Sequence, residues 1–316
     1  MICAASSFAN ALLSILRRAC ALMTMNLIPA DAPAIVNFSG GRSSGYMVKR
    51  LRDNGDLDRD DVHVVFCNTG KEREETYDFI RDVGEKWGVE IVWLEYEYRP
   101  EATGRKKGEY KTIHKVVDYE SADRSGKPFE SLILGKCMLP NVAMRICTSE
   151  MKVGTVWRWA KRDMEMKEWY SVLGIRLDEE RRLERMRGQP PRFREKGEKA
   201  KAFPLVVTET TKRDVDDFWR GNDFDLGIPS WQGNCDLCFM KGKSNLLRTI
   251  KANPELAQWW IRMENSIVKM RHPVEKKELA RFRKEYSVLD LFNQAQNQNE
   301  FELVENEGGI DCFCGD

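Results

Sequence analysis

The sequence predicts an α/β fold, in which a doubly wound, mostly parallel sheet is followed by a helical C-terminal region. Three short apolar runs suited to buried strands, at residues 34–38, 62–67 and 90–94, alternate with stretches of helical spacing. Alternating strands and helices are typical of a parallel sheet covered on both faces. Ligands of such sheets bind at the carboxyl ends of the strands, so the loops after the first two strands are the places to search.

Composition sets the class of protein and its organisation. The chain has 316 residues, of which 42% are hydrophobic and 32% charged, as in soluble globular proteins, and its net charge of +1 favours no particular partner. No segment is long and apolar enough to span a membrane. The charges at the start follow the apolar stretch, the reverse of a signal peptide, so a cytoplasmic protein is expected. We expect an extension over residues 1–25, a nucleotide-binding domain over 26–243, and a helical region with a cysteine-containing tail over 244–316.

The remaining elements follow from periodicity and turn residues. Helices are expected at residues 72–87 and 148–163, a strand at 169–175, and an extended segment at 202–206. Thr211 is the expected N-cap of the next helix. Residues 95–127 are polar and are expected to form a long surface excursion, and the chain is expected to be mostly helical from 243 to about 298.

A loop of small residues between the first strand and its helix is the strongest functional signal. Glycines let the backbone approach an anion, while serine hydroxyls and free N–H groups at a helix N-terminus donate hydrogen bonds to it. The order of residues matches neither Gly-x-x-x-x-Gly-Lys-Ser/Thr nor Gly-x-Gly-x-x-Gly. The predicted phosphate-binding residues are Ser39, Gly40, Gly41, Arg42, Ser43, Ser44 and Gly45.

The cysteines suggest a metal or redox site. Nine cysteines in a chain expected in a reducing compartment favour such chemistry over disulfides. Cys235 and Cys238 form a Cys-x-x-Cys, and Cys137 and Cys147 lie upstream. Four thiolates suit tetrahedral zinc or a [4Fe-4S] cluster, and their spacing alone does not distinguish the two. Cys67 lies in a predicted strand and is interpreted as a buried strand residue.

Several motifs, in the same order along residues 34–245, resemble those of one family. The loop Ser-Gly-Gly-x-x-Ser resembles the PP-loop of the adenine nucleotide alpha hydrolase superfamily. The later segments resemble those of its phosphoadenylyl-sulfate and adenylyl-sulfate (PAPS and APS) reductases. The matching residues after the loop are Thr69, Gly70, Glu75, Thr76, Lys152, Gly174, Arg176 and Arg182, and the Cys-x-x-Cys closes the match.

The resemblance implies a Rossmann-like fold, a [4Fe-4S] cluster with zinc as the second choice, and thiol chemistry on an adenine sulfonucleotide. In cluster-bearing members a tandem Cys-Cys and a distant Cys-x-x-Cys hold the cluster. Here Cys147 is followed by Thr148, so Cys137 is the substitute ligand beside Cys235 and Cys238.

The family's nucleophile is a cysteine near the C-terminus. Cys314 matches its Cys-Gly pair, and Cys312 lies beside it, but the flanking residues and the final histidine differ. A thiolate would attack the sulfate sulfur, and a second thiol would then release sulfite. Thioredoxin or glutaredoxin is the implied reductant.

Two other functions remain open at this point. In one, the loop binds ATP and releases pyrophosphate, which activates a nucleic acid or small molecule for sulfur transfer. In the other, the protein is a nucleotide-binding or redox-sensing module that has lost its nucleophile. Nucleic acid is the disfavoured partner, no membrane partner is expected, and a homo-oligomer and the choice between APS and PAPS are left open.

Overall fold

A computed structural model describes residues 26–102, 111–187, 197–233, 235–270 and 280–297. The expected extension at residues 1–25 lies outside this part of the chain. The two candidate catalytic cysteines, Cys312 and Cys314, also lie outside it. None of the described helices is long and apolar enough to cross a membrane.

Six strands form one sheet in the order β4-β3-β2-β1-β5-β6. Of the five neighbouring pairs, four are parallel, and the pair of β3 with β4 is antiparallel. The predicted doubly wound, mostly parallel sheet is therefore confirmed. The strands are β1 Ala34–Asn37, β2 Val62–Asn68, β3 Ile91–Tyr98, β4 Thr112–Val117, β5 Trp169–Leu173 and β6 Glu198–Ala202.

The helices alternate with the strands as the sequence predicts, except that β4 follows β3 with no described helix between them. A π-helix, Cys147–Val153, runs directly into α4. The α-helices are α1 Arg42–Asp53, α2 Glu74–Trp87, α3 Lys127–Lys136, α4 Gly154–Arg162, α5 Glu180–Arg187, α6 Pro204–Val207, α7 Lys212–Arg220, α8 Lys243–Ala252, α9 Leu256–Met270 and α10 Val288–Asn297.

Helices cover both faces of the sheet because alternate strand residues are apolar on both sides. On one face, buried side chains of α1, α2 and α7 such as Leu51, Ile80 and Trp219 pack on the sheet. On the other face, α4 packs Val156 and Trp159 against the sheet. The loop after β1 therefore emerges between these two layers, at the carboxyl edge of the sheet.

A third apolar cluster joins the C-terminal helices to the rest of the protein. It contains Trp260 of α9 and Leu246 of α8 together with Phe129 of α3 and the Cys235–Cys238 segment. Residues from both sides of position 243 thus share one core, which fixes the Cys-x-x-Cys between the sheet and the C-terminal helices.

Two expectations for elements were wrong. The segment 95–127 is not one surface excursion, because it contains the end of β3, the edge strand β4 and the first residue of α3. The segment 202–206 is not extended, since β6 ends at Ala202 and α6 begins at Pro204, whose fixed φ suits the first position of a helix. The expected N-cap Thr211 is confirmed, and its hydroxyl contacts Asp214 at 2.6 Å.

Candidate functional site

The loop after β1 is organised by the hydroxyl of Ser44, in the first turn of α1. This oxygen accepts the backbone N–H groups of Ser39 at 3.3 Å and Gly41 at 3.2 Å, and it lies 2.9 Å from Ser39 Oγ. It also donates to the Gly41 carbonyl at 2.9 Å. The first turn of α1 leaves backbone N–H groups without intrahelical partners. The loop is thus held in a fixed shape at a helix N-terminus, which suits a phosphate group.

Two glycines make this shape possible. Gly40 has φ +78°, and a Cβ there would lie 2.7 Å from Thr76 Cγ2. At the end of β5, a Cβ on Gly174 would lie 3.1 Å from the Cα of Ser44. Gly174 therefore lets the carboxyl end of β5 approach the phosphate loop to within van der Waals contact.

Thr76, which the sequence predicts to bind substrate, lies buried beneath the loop. Its Oγ1 is buried and has no hydrogen-bond partner among the described residues. An oxyanion held beside Gly40 would provide an acceptor for this hydroxyl, whose desolvation is otherwise uncompensated. The neighbouring Glu75 is 42% exposed and pairs with Arg73 at 3.4 Å, so its carboxylate faces outward.

Two arginine side chains are fixed by hydrogen bonds at the loop. Arg176 donates from Nη1 to Ser43 Oγ at 2.6 Å and from Nε to Asp178 at 3.0 Å. Arg42 donates to Asp225 at 2.7 Å and to the Ile228 carbonyl at 2.9 Å. Burial opposes ionisation of Asp225, but the bonds from Arg42 outweigh it and hold the pKa of that carboxyl below its ordinary value. The Arg42 side chain is therefore held in its ion pair with Asp225.

The turn after β2 is a second polar loop at the same edge of the sheet. Asn68 donates to Glu95 Oε1 at 2.7 Å and accepts the Gly70 N–H at 2.8 Å. The Thr69 hydroxyl donates to Glu72 at 2.8 Å and lies 3.4 Å from Cys235 Sγ. The predicted residues Thr69 and Gly70 thus belong to a turn that faces the Cys-x-x-Cys segment.

A phenol beneath this turn is fixed by the same polar groups. Tyr77 donates to Asn68 Oδ1 at 3.0 Å. Burial, followed by the nearby Glu72 carboxylate, raises the pKa of Tyr77 above its ordinary value, so the phenol stays protonated and donating.

A cavity of about 710 Å³ opens beside the phosphate loop. This volume is within the range of small-molecule sites. Its roof is the π-helix and α4, which contribute Lys152 and Val156, and its floor is the sheet. The predicted site residues that line it are Ser39, Ser44, Lys152, Gly174 and Arg182. The sequence-predicted loop, the Lys152 segment and the Arg182 segment therefore meet around one space.

Three of the four candidate metal ligands belong to the third apolar cluster or pack against it. Cys235 and Cys238 are buried in it and Cys147 packs against it, whereas Cys137, the C-cap residue of α3, is exposed. Across the described ranges, no group of three or more His, Cys, Asp or Glu residues is arranged to hold a metal ion. Within the part of the chain that the structure describes, the four thiols therefore do not form a complete metal site.

A buried ion pair joins the β2 turn to the Cys-x-x-Cys segment, and the sequence analysis missed it. Lys71 Nζ lies 2.9 Å from Asp236 Oδ2, with the two side chains 9% and 3% exposed. The Trp260 indole donates to the other Asp236 oxygen at 2.7 Å, and the Asp236 N–H donates to the Lys71 carbonyl at 2.7 Å. A charged residue between two cysteines of a buried motif was the available signal.

Polar side chains at the far end of the cavity were missed as well. Ser171, Glu198 and Lys201 line it on β5 and β6. The signal available in the sequence was a serine in the middle of an otherwise apolar strand. The pairing with β6 could not be predicted, because it depends on a register shift between Trp169 and Tyr170.

Comparison with known proteins agrees with this geometry. Residues 33–226 match the model of the phosphoadenosine phosphosulfate reductase domain, which spans the sheet, the phosphate loop and the cavity. The chain is also similar to the "Uncharacterized nin region protein ORF290" of Escherichia phage lambda, with 29% identity over 212 residues, 67% of each chain. Since the matched domain covers more than half of the sequence, the chain belongs to the phosphoadenosine phosphosulfate reductase family.

Proposed function

We propose that the protein is an oxidoreductase that acts on an adenine sulfonucleotide, APS or PAPS, and releases sulfite. The observation that carries the proposal is the cavity that joins the phosphate loop to the segment following Cys147. Ser39 and Ser44 line one side of it, and Thr148 and Lys152 line the other. A nucleotide phosphate on the loop would thus lie beside the part of the chain that bears the cysteines.

The proposed reaction is a displacement at sulfur. A cysteine thiolate attacks the sulfate sulfur, a sulfur–sulfur bond forms, and the bond from that sulfur to the phosphate oxygen breaks. AMP or adenosine 3′,5′-bisphosphate leaves with the electron pair on its phosphate. A second thiol attacks the resulting cysteine S-sulfonate and releases sulfite, so two thiols become a disulfide while the substrate sulfur gains two electrons. Thioredoxin or glutaredoxin then reduces the disulfide.

The cations around the cavity support this chemistry. Lys152 and Arg182 line it, and the Arg182 guanidinium donates to Glu179 at 2.7 Å, which fixes its position. Charged donors at these positions would offset the negative charge of a phosphosulfate and favour the thiolate form of an attacking cysteine. We propose Cys314 as the nucleophile and Cys312 as its neighbouring thiol, although both lie outside the described residues.

The test uses the full-length protein, handled without oxygen. It is incubated with APS or PAPS and reduced thioredoxin, and separately with ATP. Sulfite from either sulfonucleotide is the expected product, and its absence with folded protein that binds the nucleotide would refute the proposed reductase activity. AMP and pyrophosphate from ATP would instead identify an activating enzyme of the same superfamily. The C314S variant should bind nucleotide like the wild type but release no sulfite.

A matched pair of arginine variants checks the site. Arg176→Gln removes the donor that bonds Ser43, whereas Arg213→Gln removes a guanidinium whose side chain is 89% exposed. We expect the first change to weaken nucleotide binding about tenfold, as for the loss of a hydrogen bond from a charged group, and the second to have no effect. Equal affinities of the two variants would contradict the assigned position of the phosphate.

We further propose that Cys137, Cys147, Cys235 and Cys238, which the described structure does not arrange as a metal site, would come together around a [4Fe-4S] cluster when it binds, with zinc as the second choice. Soft thiolates suit either metal. After anaerobic reconstitution we expect iron and sulfide to bind in proportion to protein, and Cys137→Ala to lower the iron content. Full iron content in the Cys137→Ala protein would exclude Cys137 as a ligand. If the protein instead bound zinc in proportion to protein and no iron, the site would be a zinc site. Cys67→Ala is the control for a thiol outside the set.

A further inference from the structure

The helical roof of the cavity changes its hydrogen-bond spacing at one step. In the π-helix Cys147–Val153, backbone N–H groups donate to carbonyls five residues back, and the Gly154 N–H donates to the Ser149 carbonyl in this way. In α4, which begins at Gly154, the bonds run four residues back. The change from five to four passes over one carbonyl, that of Glu150.

Two buried side chains donate to the Glu150 carbonyl. The Thr155 hydroxyl donates to it at 3.1 Å and Arg158 Nη2 at 3.0 Å. Arg158 Nη2 also donates to the Thr155 hydroxyl at 2.9 Å, so the three groups form a closed set of hydrogen bonds. Thr155 and Arg158 are 0% and 4% exposed. Because a buried carbonyl without donors is costly, these bonds stabilise the step between the π-helix and α4.

The Arg158 guanidinium is buried without a carboxylate partner. None of the described Asp or Glu residues forms an ion pair with it, and its Nε has no hydrogen-bond partner among the described residues. It lies over the Tyr96 ring, 5.3 Å from the centroid. Burial lowers the pKa of Arg158 to about 10, so the group stays charged at neutral pH. Burying such a charge is costly, which indicates that its bonds to the helix serve a specific purpose.

The glycine at the start of α4 leaves room for this arrangement. A Cβ on Gly154 would lie 3.0 Å from the Ser149 carbonyl oxygen and 3.2 Å from Arg158 Nη1. Both distances are shorter than an ordinary van der Waals contact. Glycine at this position therefore lets the guanidinium reach back along the helix to the Glu150 carbonyl.

The register of the π-helix decides which of its side chains face the cavity. Thr148 and Lys152 line the cavity from the π-helix, and Val156 lines it from α4. A turn of α-helix holds about 3.6 residues, so one residue corresponds to a rotation of about 100°. If the turn before Gly154 closed to α-helical spacing, the preceding chain would rotate by about that angle relative to α4. Thr148 would then leave the cavity wall, and Lys152 would be displaced.

We propose that Arg158 is a positioning residue of the nucleotide site, which holds the π-helix in the register that presents Thr148 and Lys152 to the ligand. Arg158 is not among the described residues that line the cavity, so it acts through the π-helix. Within the reaction proposed above, its part is to keep the Lys152 ammonium beside the phosphosulfate group. The inference deepens the proposed function and rests on it for the identity of the ligand.

A double-mutant cycle in the full-length protein tests this role. The measurement is the calorimetric affinity for AMP and for adenosine 3′,5′-bisphosphate, the nucleotide products of the proposed reaction. Lys152→Met should weaken binding about tenfold, as for the loss of a hydrogen bond from a charged group. Arg158→Met should weaken it by a similar factor, but the double variant should bind no more than about twofold more weakly than Lys152→Met. Additive losses, about a hundredfold in the double variant, would show that Arg158 acts independently of Lys152 and would refute the inference.

Three further variants separate positioning from a general loss of stability. Thr155→Val removes the other donor to the Glu150 carbonyl and should give the same result in the cycle, which keeps the test decisive if Arg158→Met does not fold. Arg158→Lys retains a charged donor and should recover part of the affinity. Arg162→Met is the control, because this arginine lies one turn further along α4, donates to the Thr112 carbonyl at 3.3 Å and should bind nucleotide like the wild type.

Failure of the inference and failure of the proposed function give different results. If the wild type bound neither nucleotide, the proposed function would be wrong and the inference with it. If the wild type bound nucleotide and either Lys152→Met or both Thr155→Val and Arg158→Met bound it equally well, only the inference would be wrong.

Discussion

At the scale of single residues, the phosphate loop depends on small serine side chains and on glycines, which have no Cβ atom. The Ser44 hydroxyl oxygen forms hydrogen bonds with Ser39 and Gly41. Gly40 has a positive φ, which other residues rarely adopt. The order Ser-Gly-Gly-x-x-Ser predicts this loop because serine and glycine are needed where hydroxyls and close backbone approach coincide. The partner of the Arg42 side chain could not be predicted from the loop sequence, because that partner, Asp225, lies 183 residues away along the chain.

Substitution of Gly40 by alanine should damage both stability and binding. The new Cβ would require a left-handed backbone and would lie 2.7 Å from a methyl of buried Thr76. Gly227→Ala is the matched control, because Gly227 has φ +75° with nothing within 4 Å of its Cβ position. We expect Gly227→Ala to lower the free energy of unfolding by about 1 kcal/mol. Gly40→Ala should cost about 1–3 kcal/mol more, since overpacking is added to the strain.

Denaturant unfolding measures the stability difference, and nucleotide titration measures the binding. Only Gly40→Ala should lose nucleotide affinity. Equal unfolding free energies for the two variants would show that Thr76 moves aside at no cost.

At the scale of elements, the strands in the middle of the sheet were predictable and those at its edges were not. β1, β2, β3 and β5 are apolar runs because helices cover both of their faces. Edge strand β6 reads Glu-Lys-Ala-Lys-Ala, and its charges give no strand periodicity. Charged residues are common on edge strands because they discourage pairing with other chains. Edge strands of this kind are identified by their neighbours in space rather than by their own sequence.

A buried carboxylate between the C-terminal helices should make their stability depend on pH. Glu264 of α9 accepts the backbone N–H groups of Phe282 at 3.2 Å and Val288 at 2.9 Å. Burial raises the pKa of Glu264 to about 7, despite these hydrogen bonds. Because the folded-state pKa lies above the ordinary value of 4.5, the native state prefers the protonated acid. The stability from this group is complete below about pH 4.5 and is lost as the pH rises through about 7.

The measurement compares the free energy of unfolding of the wild type with that of Glu264→Gln across pH. Glutamine does not titrate, so the wild type should lose on the order of 3 kcal/mol relative to the variant between about pH 4.5 and 8. Glu285→Gln, at an exposed position, should not change the pH profile. If the wild type instead gained stability relative to Glu264→Gln as the pH rose, the hydrogen bonds to the Glu264 carboxylate would outweigh its burial.

At the scale of the whole molecule, the Cys-x-x-Cys segment joins two layers of the protein. Its cysteines share a core with helices on both sides of position 243, and Asp236 between them bonds Lys71 of the sheet domain and Trp260 of α9. The spacing of Cys235 and Cys238 indicated a metal or redox site. Which loop they face could not be predicted, because the contact with Thr69 spans 166 residues.

The Lys71–Asp236 pair should show the behaviour of a buried salt bridge. Lys71→Met alone should lower the free energy of unfolding by about 3–5 kcal/mol, since it leaves a buried carboxylate without its cation. The double variant Lys71→Met/Asp236→Leu should recover most of this loss. Lys49→Met provides the exposed control, where the ion pair with Asp53 contributes less than about 1 kcal/mol. If the double variant were less stable than Lys71→Met, hydrogen bonds of Asp236 other than the ion pair would dominate.

The Lys71–Asp236 ion pair limits which segments of this protein could be replaced by recombination during evolution. Lys71 lies within the family-matched region 33–226, whereas Asp236 lies beyond it. A recombination event at the end of the matched region would therefore separate an interior ammonium group from its counter-ion. The matched region of this chain is not an interchangeable module, and any hybrid with a new C-terminal segment must supply its own carboxylate opposite Lys71.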